Sequence, residues 1–244
     1  MKCVNENVKT VLRIAIPAII ETFFVAFAGL VDSLMVSSLG SNAVAAVGLT
    51  AQPKFVGMAV FMAISVSVSA LVARRFGEKK RDKANSILFT ALLLIVFISV
   101  ILGALFTFFA SPIISFCGST PETHNDAVMY YQIIMSFMIF NCIQVGINAM
   151  QRGAGNTKIT MRTNITSNTV NIIGNYLLIG GKFGFPALGI RGAAIATVFG
   201  SFIASVMSII SVLSKDCFIS IPYIIENKIK PSLEALFNII KVGY

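Results

Sequence analysis

The chain has 244 residues, of which 56% are hydrophobic and only 12% are charged, and its mean hydropathy is +0.86. These values lie outside the usual range of soluble globular domains and indicate an integral membrane protein. The net charge of +9 does not indicate nucleic-acid binding, because the basic residues are spread over separate loops without interleaved aromatic side chains.

Six apolar stretches are each long enough to cross about 30 Å of hydrocarbon as an α-helix. They are predicted at 11–37, 44–73, 84–109, 127–150, 162–181 and 190–213. The first stretch is too long for a signal peptide, contains two acids and lacks a small-residue cleavage pattern, so it is expected to remain as a helix. The predicted fold class is an all-α integral membrane protein with a bundle of six transmembrane helices.

The loops between these stretches differ strongly in charge. Of the 19 lysine and arginine residues, 16 lie at the N-terminus, in the loops after the second and fourth stretches, or after the sixth. Only Lys182 and Arg191 lie in the other loops, and Lys54 lies within a span. By the positive-inside rule, we expect a multi-pass protein of the plasma membrane with its N-terminus in the cytoplasm.

Two acids, Glu21 and Asp32, lie within the first span. Their offset of 11 residues places them on one face of a helix, roughly 16 Å apart along its axis. An ionised carboxylate that faced lipid there would cost at least about 2.5 kcal/mol on insertion scales. The shared face is therefore expected to point into the bundle or a wet cavity, and to be functional.

Amides recur at helical spacing in two later spans. The fourth span carries Asn141, Gln144, Asn148 and Gln151, and the fifth carries Asn164, Asn168, Asn171 and Asn175. The first and fifth spans run outward and the sixth returns from outside. Four polar residues are therefore expected at one depth in the outer half of the membrane: Asp32, Asn171, Asn175 and Thr197. Interhelical hydrogen bonding without a ligand is an alternative role for both amide stripes.

Neither metal-site nor enzyme motifs are evident in the sequence. Cys3, Cys117, Cys142 and Cys217 have no CxxC spacing, and the lone His124 lies in a loop. No HExxH, paired intramembrane histidines or GxSxG occurs. We expect neither an enzyme nor a resident cofactor.

The sequence closely resembles the multidrug and toxic compound extrusion family over essentially its whole length. The segments that carry the resemblance are, in order, IPAIIETFFVAFAGLVDSLMVSSLG, ALVARRFGEKKRDKAN, QRGAGNTK, NTVNIIGNYLLI and FGFPALGIRGAAIAT. The resemblance implies one lobe of a twelve-helix, two-lobe antiporter. Such a transporter exports organic cations and drugs in exchange for protons or sodium ions.

The resemblance also implies a coupling-cation site in this lobe, at the same four positions: Asp32, Asn171, Asn175 and Thr197. Family members with this site commonly carry an aspartate where this chain has Asn175. An amide oxygen can ligate sodium but cannot take up a proton, so proton coupling would depend on Asp32. The coupling ion, H⁺ or Na⁺, stays open.

Five further polar residues are candidates for a substrate or proton relay: Glu21, Gln52, Lys54, Asn141 and Gln144. Lys54 is expected to snorkel towards the outer interface. Pairing with an acid across the helices, or repulsion of a cationic substrate, are its alternative roles.

The last residues, LFNIIKVGY, repeat the entry to the first span, VLRIAIPA. Such a repeat is typical of the start of a second lobe. We expect an N-terminal six-helix lobe at 1–213, a cytoplasmic linker at 214–231 and the start of a seventh helix at 232–244. The expected partners are membrane lipid, small organic cations and a C-terminal lobe in the same or another chain.

Two other functions fit the sequence less well. A flippase for lipid-linked oligosaccharides would need several basic residues to hold a pyrophosphate, and only Lys54 lies within a span. The other alternative is an inactive half-transporter remnant, if Tyr244 is the true terminus.

Overall fold

The structure, a computed structural model, describes residues 2–214 and 217–243, and the side chains from residue 15 onward except those of residues 18 and 243. Lys215, one of the basic residues counted after the sixth stretch, and Tyr244 lie outside the described residues. This part of the chain forms helices and no β-strand. The α-helices are α1 (Lys2–Ser37), α2 (Ser41–Gly77), α3 (Arg81–Phe108), α4 (Ala110–Phe116), α5 (Pro121–Ser136), α6 (Met138–Gly153), α7 (Thr157–Leu178), α8 (Ile190–Leu213), α9 (Ile221–Glu226) and α10 (Leu233–Gly243), with a 3-10 helix at Lys182–Gly184.

Among the described residues, four helices are long and apolar enough to cross a membrane: α2, α3, α8 and the Ala15–Ser37 part of α1. The bent pair α5 and α6 meets the same criterion as a fifth span. The remaining predicted span, 162–181, corresponds to α7, which has 22 residues but does not meet it. Its repeated asparagines and threonines lower its hydropathy, and it packs between α1 and α8.

The predicted fourth span, 127–150, is two helices that meet at Phe137 with a bend of 50°. Ser136 Oγ donates a hydrogen bond to the carbonyl oxygen of Gln132 at 2.7 Å and lies 3.2 Å from Thr107 Oγ1 on α3. A serine bonded to the carbonyl four residues earlier often bends a helix. The break exposes side chains on both sides of it to a cavity described below.

Helices α7 and α8 approach closely enough that only glycine fits at some contacts. A Cβ atom on Gly192 would lie 2.6 Å from the carbonyl oxygen of Leu178, and one on Gly200 would lie 2.6 Å from that of Ser167. Small residues allow such backbone contact between membrane helices. The close contact fixes the polar side chains of α7 relative to those of α8.

The segment after α8 is fastened to the start of α3. Arg81 donates to the carbonyl oxygens of Cys217 at 2.7 Å and Phe218 at 3.2 Å. The buried Asn85 donates to Phe218 O at 3.0 Å and accepts from the backbone nitrogen of Ser220 at 2.7 Å. The segment predicted as an inter-lobe linker is thus held against the bundle where it is described. The division into lobe, linker and seventh-helix start stays a prediction.

Candidate functional site

The four residues predicted at one depth form a continuous hydrogen-bonded cluster, which we call the Asp32 cluster. Asn175 Nδ2 donates to Oδ1 of Asp32 and, at 3.4 Å, to Oδ1 of Asn171. Asn171 Nδ2 donates to Thr197 Oγ1 at 3.0 Å. Helices α1, α7 and α8 each contribute to the cluster, and the α7–α8 contact sets the spacing between Asn171 and Thr197.

The amide oxygen of Asn175 is an unpaired acceptor inside the Asp32 cluster. Asn175 has no exposed surface, and its Oδ1 atom has no hydrogen-bond partner. Buried polar atoms are almost always paired, so an unpaired oxygen beside a carboxylate needs an explanation. The cluster offers carboxylate, amide and hydroxyl oxygens, which are the ligands that a hard cation such as sodium prefers.

Tyr130 on α5 belongs beside this cluster, although sequence reasoning did not select it. It is buried, and it lies close enough to Thr197 and Asp32 to interact with both. A tyrosine in a predicted span at matching depth was the signal available in the sequence. Because the aromatic ring also suits an apolar core, that signal alone does not distinguish a residue of the site from a residue of the core.

A second acid–amide pair lies on the same two helices, α1 and α7, about three turns nearer to their N-terminal ends. Asn164 donates to Glu21, and it accepts a hydrogen bond from Gln144 Nε2 on α6 at 2.7 Å. Glu21 and Asp32 are 11 residues apart on α1, as are Asn164 and Asn175 on α7. The helices therefore run parallel and in register, and their contact contains both pairs. Among the predicted relay residues, Glu21 and Gln144 are thus brought together.

Lys54 points into the bundle rather than to the outer interface, so the expectation of snorkelling is not met. It lines a cavity of about 300 Å³ between α2, α5, α6 and α8, together with Asn141 and Thr197. Its side chain lies within electrostatic range of the Asp32 carboxylate, although the two do not form an ion pair. The remaining wall is largely apolar and includes Phe55, Met58, Phe137 and Met138.

Gln52 is not joined to the Asp32 cluster or to this cavity. It is exposed and lines a separate depression with Phe116 and Cys117, near the loop after α4. Its predicted relay role therefore has no described contact to support it.

The inner residues of the α6 amide stripe form an interhelical hydrogen-bond network. Asn148 Nδ2 donates to Thr163 Oγ1 on α7 at 2.9 Å, and Asn148 Oδ1 accepts from Ser208 Oγ on α8 at 3.2 Å. Gln151 donates to Ser211 Oγ at 2.9 Å. These contacts fit the alternative role, which is to hold three helices together.

The described residues contain no group of three His, Cys, Asp or Glu side chains that could hold a metal ion. A sodium site in the Asp32 cluster would instead be built from one carboxylate and neutral oxygens.

The profile of the MatE family matches residues 17–177, well over half of the chain. This chain belongs to the MatE family. A probable multidrug resistance protein NorM of Thermotoga maritima is 29% identical over 241 residues, which are 99% of this chain and 51% of the relative. An FAD transporter of Shewanella oneidensis is 29% identical over 204 residues, or 82% of this chain and 44% of that protein.

Solved structures of similar proteins agree with the fold of this MatE chain. A MATE protein in complex with MaL6 has a TM-score of 0.86 and 26% identity, over 96% of this chain and 51% of that one. A MOP superfamily transporter from Pyrococcus furiosus, whose binding pocket is described as having reverse polarity, has a TM-score of 0.81 and 27% identity, with coverage of 96% and 51%.

The MatE chain spans about half the length of the curated relatives it matches. Its relatives are transporters, not enzymes, and its apolar helices make it a multi-pass membrane protein. The family and the helical fold predicted from the sequence are confirmed. The cytoplasmic position of the N-terminus stays a prediction.

Proposed function

We propose that this chain forms the N-terminal lobe of an exporter that moves organic cations, including drugs, out of the cell in exchange for protons or sodium ions. The observation that carries the proposal is the position of Thr197. It belongs both to the Asp32 cluster and to the wall of the 300 Å³ cavity. An ion bound in the cluster would therefore lie directly beside a substrate bound in the cavity.

The two sites are also linked by charge. Lys54 lines the cavity and interacts electrostatically with Asp32. A cation that binds at Asp32 would weaken that attraction and change the field that a charged substrate meets. A ligand shifts a conformational equilibrium only by its differential affinity for the two states, here the inward-open and outward-open conformations. The electric field of Lys54 and Asp32, which acts on both the ion and the substrate, would supply such a difference.

The full cycle needs a second lobe, because alternating access requires two bodies that move around a central site. With the cleft open inward, a lipophilic cation would bind against the phenylalanine and methionine side chains of the cavity. After reorientation, an ion from outside would occupy the Asp32 cluster and favour release. Asp32 would bind either ion, whereas Asn175 can contribute only as a sodium ligand.

A second candidate is export of an amphipathic anion, and Lys54 is the observation that favours it. Lys54 is the one formally charged side chain among the residues that line this cavity. The Shewanella relative is named as a transporter of FAD, and the Pyrococcus structure is described by the reversed polarity of its pocket. The lipid-linked oligosaccharide flippase is less well supported, because a pyrophosphate would need more than one base.

The test uses the protein as encoded by its own gene, reconstituted in liposomes. We expect an imposed inward gradient of Na⁺ or H⁺ to drive export of tetraphenylphosphonium, and Asp32→Asn to lower the gradient-driven rate at least tenfold. Asp82→Asn makes the same chemical change at the start of α3, where Asp82 is exposed and accepts a hydrogen bond from Tyr223, and it should leave the rate within about twofold. Full gradient-driven export by the Asp32→Asn protein would refute the proposal. Export of FAD but not of tetraphenylphosphonium would favour the second candidate.

A further inference from the structure

Two cavities adjoin where α3 meets α10, at the end of the bundle that the charge pattern assigns to the cytoplasm. The first, the polar pocket, has about 150 Å³, and its polar lining is Arg75, Lys83, Ser86, Ser232, Glu234 and Asn238. The second, the apolar groove, has about 540 Å³ and is lined mainly by Leu93, Leu94, Phe97, Pro231, Leu233 and Leu236. Ser232 lines both cavities.

The two cavities follow each other along α3. Ser86 lines the polar pocket and Thr90, one turn further on, lines the apolar groove. Both hydroxyl groups hold the opposite wall in place: Ser86 Oγ donates to Lys230 O at 3.1 Å, and Thr90 Oγ1 accepts from Ser232 N at 3.1 Å. From Lys83 to Phe97 the helix rises about 21 Å, which covers the headgroup level and the roughly 15 Å of hydrocarbon in one leaflet.

The charge around the polar pocket is positive. The segment from Arg74 to Lys83, which includes the end of α2 and the start of α3, has six basic and two acidic residues. Glu78 pairs with Arg75 at 2.8 Å, with Arg74 and with Lys80. Lys83 is exposed and makes no hydrogen bond or ion pair with the described residues. Although Glu234 contributes one negative charge to the lining, Lys83 is left as the cation that can bind an anion.

The groove leaves apolar side chains uncovered beside that cation. Phe97 is 66% exposed and Leu233 is 80% exposed. On the opposite side of α10, Ala235 and Ile239 are buried against the bundle, which fixes the groove wall. A hydrocarbon chain along α3 would cover the exposed side chains.

We propose that the polar pocket and the apolar groove together bind one anionic glycerophospholipid of the cytoplasmic leaflet. Its phosphate lies at Lys83 and one acyl chain lies along α3 against Leu93 and Phe97. The bound lipid joins α3 to α10, the element that leads out of the six-helix bundle. The site shares no residue with the Asp32 cluster or its cavity, so it does not depend on the transport function proposed above.

The test measures lipid bound to the purified protein, as encoded by its own gene, by native mass spectrometry in detergent. The probes are dioleoylphosphatidylglycerol, dioleoylphosphatidylcholine with the same chains, and glycerol 3-phosphate, which has no chains. We expect one phosphatidylglycerol to bind clearly more tightly than phosphatidylcholine. Lys83→Gln should weaken phosphatidylglycerol binding about fivefold, the effect of one basic residue near a lipid surface.

Two further variants make the test specific to this pocket. Lys79→Gln removes the same charge from the same basic segment, at a residue that does not line the pocket, and should change binding by less than twofold. Glu234→Gln removes the acid in the pocket and should strengthen binding severalfold. Equal binding of the two lipids, or equal losses in Lys83→Gln and Lys79→Gln, would overturn the proposal. Glycerol 3-phosphate binding as tightly as the lipid would overturn it in favour of a site for free anions.

Discussion

At the residue scale, the position of Asn175 sets the chemistry of the Asp32 cluster. Its amide donates to Asp32, while its own oxygen lies buried without a partner. An aspartate there would place two carboxylates in contact, which is unfavourable unless a cation or a proton lies between them. The amide therefore allows a folded cluster with a single negative charge.

Asn175→Asp should make the protein depend on bound cation. The variant replaces a hydrogen-bond donor with a second acid, so we expect its thermal unfolding temperature to rise more steeply with sodium concentration than that of the wild type. Asn168→Asp is the matched control, because Asn168 lies on the same helix and donates only to Asn164 O among the described residues. If both variants respond to sodium like the wild type, the cluster is not the cation site.

Glu78, outside the membrane-spanning helices, gives a prediction for pH. Hydrogen bonds from Arg75, Lys80 and Arg74 lower its pKa from 4.5 to about 2. Because the folded-state pKa is depressed, the stabilisation is fully present above about pH 4.5 and is lost as the pH falls towards 2. The stability difference between wild type and Glu78→Gln should therefore shrink over that range, as measured by thermal unfolding in detergent. Glu234→Gln is the control for the loss of an exposed acid. A stability difference between wild type and Glu78→Gln that does not change with pH would contradict the prediction.

Some residue contacts could be derived from the sequence and others could not. The Asp32 cluster followed from helix direction and depth, which fix position along the membrane normal. Depth does not fix the direction of a side chain around its helix axis. For that reason Lys54, expected at the interface, lines the inner cavity, and Gln52 lies apart from it.

At the element scale, the break between α5 and α6 shapes the 300 Å³ cavity. Residues Met135, Phe137, Met138 and Asn141 come from both sides of it and line the same space. Neither proline nor glycine lies at the break, and these are the residues that most often mark kinks in a sequence. Helix α7 is a second element for which the usual sequence signal is weak. Its amides lower its hydropathy, although the same amides form its contacts with α1, α6 and α8.

The contact between α7 and α8 should tolerate no added methyl group at Gly200. A Cβ there would lie 2.6 Å from the backbone oxygen of Ser167, so the helices would have to move apart. We expect Gly200→Ala to destabilise the protein by about 1–3 kcal/mol, the usual cost of overpacking, and to weaken sodium-dependent stabilisation, because Asn171 and Thr197 lie on these helices. Gly48→Ala on α2, where no atom lies within 4 Å of the new methyl, is the control. Equal unfolding temperatures for the two variants would show that the contact is not close in the membrane.

At the scale of the whole molecule, the orientation in the membrane decides from which side an ion would reach the Asp32 cluster under the proposed function. Hydropathy predicted the bundle of membrane helices, because hydropathy is a property of long segments. The asymmetry of charge between loops predicted the direction of insertion. The docking of 217–232 on α3 could not be derived in this way, since it depends on single contacts of Arg81 and Asn85 with backbone atoms.

Two native cysteines report on that orientation. Cys117 lies in the loop after α4, expected outside, and Cys217 lies after α8, expected inside; both are partly exposed, whereas Cys142 is buried. In variants that keep only one of them, a membrane-impermeant maleimide should label Cys117 in intact cells and label Cys217 only after permeabilisation. A variant that keeps only Cys142 should stay unlabelled in both conditions. The reverse pattern would place the N-terminus outside, so that Asp32 would lie nearer the cytoplasm and the inward ion gradient could not act on it as proposed.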